Sequence, residues 1–176
     1  MRHSILFILL MSLGLFACKK NDTNNTTPVN PILFQKDYIN YAWGFIHSGW
    51  FIDSEGKYYQ YYLQEEDDWA QIQNGQIMAD SLHMNFGNAT EMLQLDLSEV
   101  SYFHDLSMQI MNDTLSLPET IMADAGIETH YAFKYQSACD CYKSVIIKKY
   151  GDITQTNTGE YADTIYNWMK NLLITL

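Results

Sequence analysis

The chain has 176 residues and sets 10 lysines and arginines against 21 aspartates and glutamates, a formal net charge of −11 at pH 7. A carboxylate excess of that size repels phosphate backbones, so nucleic-acid binding is excluded from the expected functions. With 47% hydrophobic residues, the chain is long enough for one ordinary core.

The first seventeen residues read MRHSILFILLMSLGLFA, with Arg2 in a short basic start and an apolar run from Ile5 to Ala17 broken only by Ser12 and Gly14. That run is too short for a permanent bilayer-spanning helix and has the layout of a cleaved secretory signal. It ends Leu15-Phe16-Ala17-Cys18, which resembles the lipobox of bacterial lipoproteins, although Phe16 is bulkier than the usual occupant. The resemblance implies that Cys18 receives a diacylglyceryl group, that residues 1–17 are removed, and that the new amine carries a further acyl chain such as palmitate. Two or three acyl chains hold a protein stably on a membrane without spanning it. The expected address is therefore the envelope of a diderm bacterium, lipid-anchored at the outer membrane and facing periplasm or exterior. Loss of Arg2 takes the formal net charge from −11 to −12.

Residues 18–31 hold the anchor cysteine and KKNDTNNTTPVNP, which has no large apolar residue apart from Val29. Such a segment cannot bury enough surface to offset chain entropy, and it reads as a flexible tether. Residues 32–176 then form one globular domain. The expected class is α+β: two antiparallel hairpins packed with about three short helices.

Within residues 38–63 the aromatic run is interrupted by Asp53-Ser-Glu-Gly56, which predicts two strands joined by a turn. Alternation puts Tyr59, Tyr61 and Leu63 on one face and Tyr58 and Tyr62 on the other. The acidic cluster at 65–68 lacks the alternating oxygen donors of a calcium loop. A short helix is expected over 77–86, ending at Gly87. Asp96-Leu-Ser-Glu99 has capping-box spacing and opens a helix over 98–112. Runs at 129–135 and 142–148 predict a second hairpin with QSACDC at its tip. Asn157-Thr-Gly-Glu160 supplies another capping-box spacing, and Tyr161, Ile165, Trp168, Met169, Leu172 and Leu173 follow as one face of a terminal helix.

Met122-Ala-Asp-Ala-Gly126, Tyr131-Ala-Phe-Lys-Tyr135, Tyr142, Val145, Gly151-Asp152, Asn157 and Trp168 together resemble the C-terminal part of uncharacterised secreted bacterial lipoproteins. Those carry a D-A-G start, a Y-A-Y-x-Y strand, a hairpin, a G-D pair and a closing W-L helix; here Met169 replaces the leucine. The likeness covers roughly the last third of the chain and implies no activity.

Beyond the signal the histidines are His47, His83, His104 and His130. None has the helical spacing with a glutamate that a zinc protease uses, so no metal and no other cofactor is assigned. No GxSxG elbow occurs, and His47-Ser48-Gly49 is only a superficial echo. In an exported compartment Cys139 and Cys141 either close a small disulfide, if their Cα atoms lie within about 7 Å, or stand as idle turn thiols.

The leading expectation is a non-enzymatic binding or structural module. Its candidate ligand-binding residues are Trp43, Trp50, Tyr58, Tyr59, Tyr61 and Tyr62, with Trp69 nearby, because side chains on alternate faces leave one face uncovered unless helices pack on both. The other reading of these aromatics is a plain sheet core. Partners expected are the membrane through the anchor and a glycan, a peptide or an envelope protein. The second functional expectation is a small hydrolase or thiol-dependent enzyme in which His130 faces Cys139 or Cys141 across the hairpin.

Overall fold

The computed structural model describes residues 31–66, 69–110 and 114–172; the signal, Cys18 and all of the tether before Pro31 lie outside the described residues. Among the described residues are nine strands: β1 (Ile32–Asn40), β2 (Ile46–Asp53), β3 (Lys57–Leu63), β4 (Gln76–Met78), β5 (Ala89–Gln94), β6 (Glu119–Thr120), β7 (Ile127–Gln136), β8 (Cys141–Gly151) and β9 (Ile153–Thr156). The helices are α1 (Leu82–Gly87), α2 (Leu97–Ser107) and α3 (Ala162–Asn171). All strands join one antiparallel sheet in the order β5-β3-β2-β1-β7-β8-β9-β6. The outer edge of β8 is shared, with β4 pairing residues 141–143 and β9 pairing 148–149. The domain is thus β-rich where a balanced α+β class was expected, and the two expected hairpins are neighbours in one sheet, joined through β1.

The β2–β3 turn forms as its sequence dictates. The Asp53 carboxylate accepts from the backbone N–H of Glu55 and Lys57, both at 2.9 Å, and Gly56 takes φ +78°, which a side chain would resist.

Both faces of the sheet are covered. On one, α2 and α3 lay Val100, Ile165, Trp168 and Met169 over Phe34, Ile52, Tyr58, Val145 and Ile147. On the other, Trp69, Ile77, Leu82 and Phe86 cover Phe51, Tyr61, Leu63, Phe133 and Tyr142. Each fully buried large apolar side chain contributes about 1.5–3 kcal/mol, so these two layers dominate stability.

Three helix expectations need correction. Residues 76–78 do not begin a helix, because they pair with β8; a single 3-10 turn over Ala79–Ser81 then leads into α1. Six residues cannot hold a helix alone, and α1 persists because Phe86 packs edge-on against Phe51 at 4.9 Å. At α2, Asp96 does cap Ser98 N at 2.8 Å, but the helix stops at Ser107, and Glu99 accepts from the Trp168 indole at 3.2 Å, tying α2 to α3. Asn157 does not cap α3: its side-chain oxygen accepts from Gly159 N and from the Thr114 hydroxyl, and the helix begins after Tyr161, at φ +73°. The apolar face of α3 is as expected through Leu172; Leu173 lies outside the described residues.

Candidate functional site

The register across β3, β2, β1, β7 and β8 aligns Tyr61, Gly49, Asp37, Thr129 and Lys149 in one row. Gly49 leaves a gap in that row. The Tyr61 side chain lies over it, and its hydroxyl donates to Asp37 Oδ1 at 2.5 Å. A Cβ on Gly49 would sit 2.6 Å from the Tyr61 hydroxyl oxygen and 2.0 Å from the Lys36 carbonyl oxygen. His47, one row further along β2, donates from Nε2 to the same Asp37 oxygen at 2.6 Å. Gln35 completes the network by donating to the Tyr61 oxygen at 3.2 Å.

Burial, reinforced by the Asp37 charge, holds the Tyr61 hydroxyl well above the usual tyrosine range, so it remains a donor. The same two causes push Tyr131, on β7, up to about 12. Asp37 itself reaches the surface, where it lines a cleft of about 560 Å³ with Ile39, Asn40, Tyr41, Asp124, Thr129, Tyr131, Lys149 and Asp152. Three carboxylates and one ammonium give that cleft a net negative lining.

The cleft occupies one end of the domain. Pro31 lies at the other, where its carbonyl accepts from Ser54 N at 2.8 Å. From Ile32 to Asn40 the β1 backbone spans eight steps, about 26 Å. Tyr41, whose hydroxyl bonds Glu66, belongs to the cleft lining, and Trp43, 83% exposed, follows two residues on but outside that lining.

This network does not form a hydrolytic triad. With Nε2 given to Asp37, catalysis requires Nδ1 of His47 to face a nucleophile in a cleft. That nitrogen is instead buried without a partner among the described residues, beneath the rings of Phe45, Tyr61 and Trp69.

The aromatic residues expected to bind ligand separate into two groups. Trp50, Tyr58 and Tyr61 are core residues, and Tyr59 stacks on Phe51 at 4.8 Å. Trp69 is also buried, stacked on Tyr61 at 4.0 Å. Only Trp43 and Tyr62 of the candidate set stand out in solvent. The expectation of an open aromatic face fails because residues 69–86 cover one side and helices α2 and α3 the other.

The proposed thiol arrangement is not assembled. His130 pairs with Lys148 whereas Cys141 pairs with Gln136, six residues and about 20 Å along β7. Cys139 and Cys141 are joined by a disulfide with a Cα–Cα distance of 5.2 Å. His130 is buried on the opposite face from Asp37, against Tyr150 and Tyr166. Burial lowers its pKa to about 4 despite Glu128 3.7 Å away, so at neutral pH the two form no ion pair; Glu128 is instead satisfied by Lys36 at 2.9 Å and the Tyr150 hydroxyl at 2.6 Å.

The Asp37 network had one legible signal, a glycine inside an aromatic strand, which marks close approach by another group. Comparison with family models, with curated proteins and with solved structures finds no match to the chain.

Proposed function

We propose that the protein is a lipid-anchored envelope module, tethered through Cys18, that binds cationic segments of a partner without catalysis. The single observation that carries this reading is the placement of the Asp37 cleft at the opposite end of the domain from Pro31. A domain held to a membrane through a flexible tether at residues 18–30 leaves that end free to meet a partner. The carboxylates of Asp37, Asp124 and Asp152 favour an ammonium or guanidinium group, and the exposed ring of Tyr41 in the same lining offers a face to that charge. Asp37 is held in place by His47 and Tyr61 before any ligand arrives, which lowers the ordering cost of binding.

The test is a titration of the isotope-labelled domain with short arginine- and lysine-containing peptides, followed by NMR at Thr129, Lys149 and Asp152. Binding there, weakened by added salt and by Asp124→Asn, supports the proposal; asparagine tolerates the φ of +67° at that position, so the variant removes charge without strain. Shifts confined to other surfaces overturn it.

A further inference from the structure

A second cleft, of about 650 Å³, lies on the face covered by Trp69 and α1. Gln71, Gln73, Asn74 and Gln76 contribute four primary amides to its lining, beside the carboxylates of Glu66 and Asp80 and the imidazole of His83, and no lysine or arginine is present. Each amide offers two donors and two acceptor lone pairs in one plane, which matches the paired donor and acceptor character of vicinal hydroxyls. Among the described residues, the side chains of Gln71, Gln73 and Asn74 have no hydrogen-bond partner in the protein.

These amides stand on a fixed frame. Gln73 and Gln76 exchange backbone hydrogen bonds at 2.8 and 3.0 Å around Asn74 and Gly75, which take φ +51° and +76° as a two-residue hairpin requires. The Gly75 carbonyl accepts from both the backbone N–H and the hydroxyl of Ser144, at 2.8 and 3.0 Å, which fastens the hairpin to β8. A further amide lies buried behind Ala70, outside the lining itself. Asn85 accepts from Ala70 N at 2.8 Å, while its Nδ2 is fully buried with no partner among the described residues, and Ala70 lines the cleft.

We propose that this cleft is a binding site for a neutral saccharide of two or three units. An anionic ligand finds no cation here, and the chain's overall charge of −11 opposes it. The volume suits a ligand of that size. The four amides are exposed on a fixed backbone frame and left unspent by the fold, while Met78 and Met84, each more than 40% exposed, provide adaptable apolar contact for the C–H faces of sugar rings. This site is independent of the Asp37 cleft and of lipid anchoring.

The experiment is an NMR titration of the folded domain with cellotriose, maltotriose, chitotriose and mannotriose, reading the side-chain NH2 signals of Gln71, Gln73, Asn74 and Asn85. At least one of the four is expected to shift those signals with millimolar or tighter affinity. Gln71→Ala with Gln73→Ala, both at exposed positions, is expected to weaken that binding at least tenfold, while Asp124→Asn in the other cleft leaves it unchanged. The proposal is overturned if none of the four sugars moves these signals, if a cationic peptide moves them instead, or if the folded double variant binds as tightly as the parent.

Discussion

Tyr61 on β3 donates to Asp37 on β1 at 2.5 Å, across the whole width of β2. The reach is possible because Gly49 stands between them. Gly49→Ala places a methyl 2.0 Å from a backbone carbonyl and 2.6 Å from the tyrosine oxygen, so strands must part. Such overpacking costs about 2–4 kcal/mol, and urea denaturation is expected to show a lower midpoint at unchanged m-value.

Asp37→Ala leaves His47 Nε2–H buried with no acceptor and costs about 2–3 kcal/mol. Because Tyr61 and His47 share one carboxylate oxygen, a cycle combining Asp37→Ala with Tyr61→Phe is expected to be non-additive by at least about 1 kcal/mol. Additive losses measured in the same denaturation experiment contradict the shared network.

Stability depends on pH through His130. Its ordinary value of 6.5 is lowered by burial to about 4, so between these values the unfolded chain binds a proton that the folded chain refuses. The stabilisation is complete above 6.5, falls as pH falls, and is gone below about 4. The whole window corresponds to roughly 3 kcal/mol. His104 is lowered in the same sense, mainly by burial. Stability measured at pH 7 and pH 5 is expected to differ less in His130→Phe than in the parent.

The disulfide between Cys139 and Cys141 closes a loop of sequence separation 2. So short a loop restrains the unfolded chain little, and its loss is worth about 1–2 kcal/mol. The variant Cys139→Ser with Cys141→Ser is expected to retain the native circular dichroism spectrum and to melt only slightly earlier. Loss of the fold would show that the hairpin tip organises β4, whose Met78 pairs with Cys141.

Aromatic residues near one another in sequence differ sharply in weight. Trp50→Ala empties a fully covered position and is expected to cost about 3–5 kcal/mol, whereas Trp43→Ala is expected to change stability by less than about 0.5 kcal/mol. Thermal melts of the two variants distinguish a core tryptophan from an exposed one. Loss of peptide binding in Trp43→Ala, with stability intact, would show that the bound peptide extends from the Asp37 cleft to Trp43.

What the sequence made legible was local. Alternation assigned Tyr59, Tyr61 and Leu63 to one face and Tyr58 and Tyr62 to the other, and the turn at Asp53 to Gly56 was readable from its own residues. What covers those faces was not, because Trp69, Phe86 and Trp168 arrive from distant segments with no local mark of their destination. Strands β4, β5, β6 and β9 were missed for a related reason: QIM, ATEMLQ, ET and ITQT are short or polar, and pairing with a neighbour decides them; β1 was missed as well, because its end at residues 38–40 was read as the start of the first hairpin. The Asp37 network joins residues 37, 47 and 61, which no helical or strand period connects; only strand register brings them together. His130 and Cys141 were placed face to face by assuming a short hairpin, and ten residues of β7 put them at different heights.

The proposed envelope module requires a lipid anchor at Cys18. Intact mass spectrometry of the mature chain extracted from bacterial membranes tests this most directly. The expected product begins at Cys18 and carries a diacylglyceryl group with an additional acyl chain, and Cys18→Ser abolishes both cleavage and lipid. A chain that retains residues 1–17, or that begins at an unmodified Cys18, contradicts it.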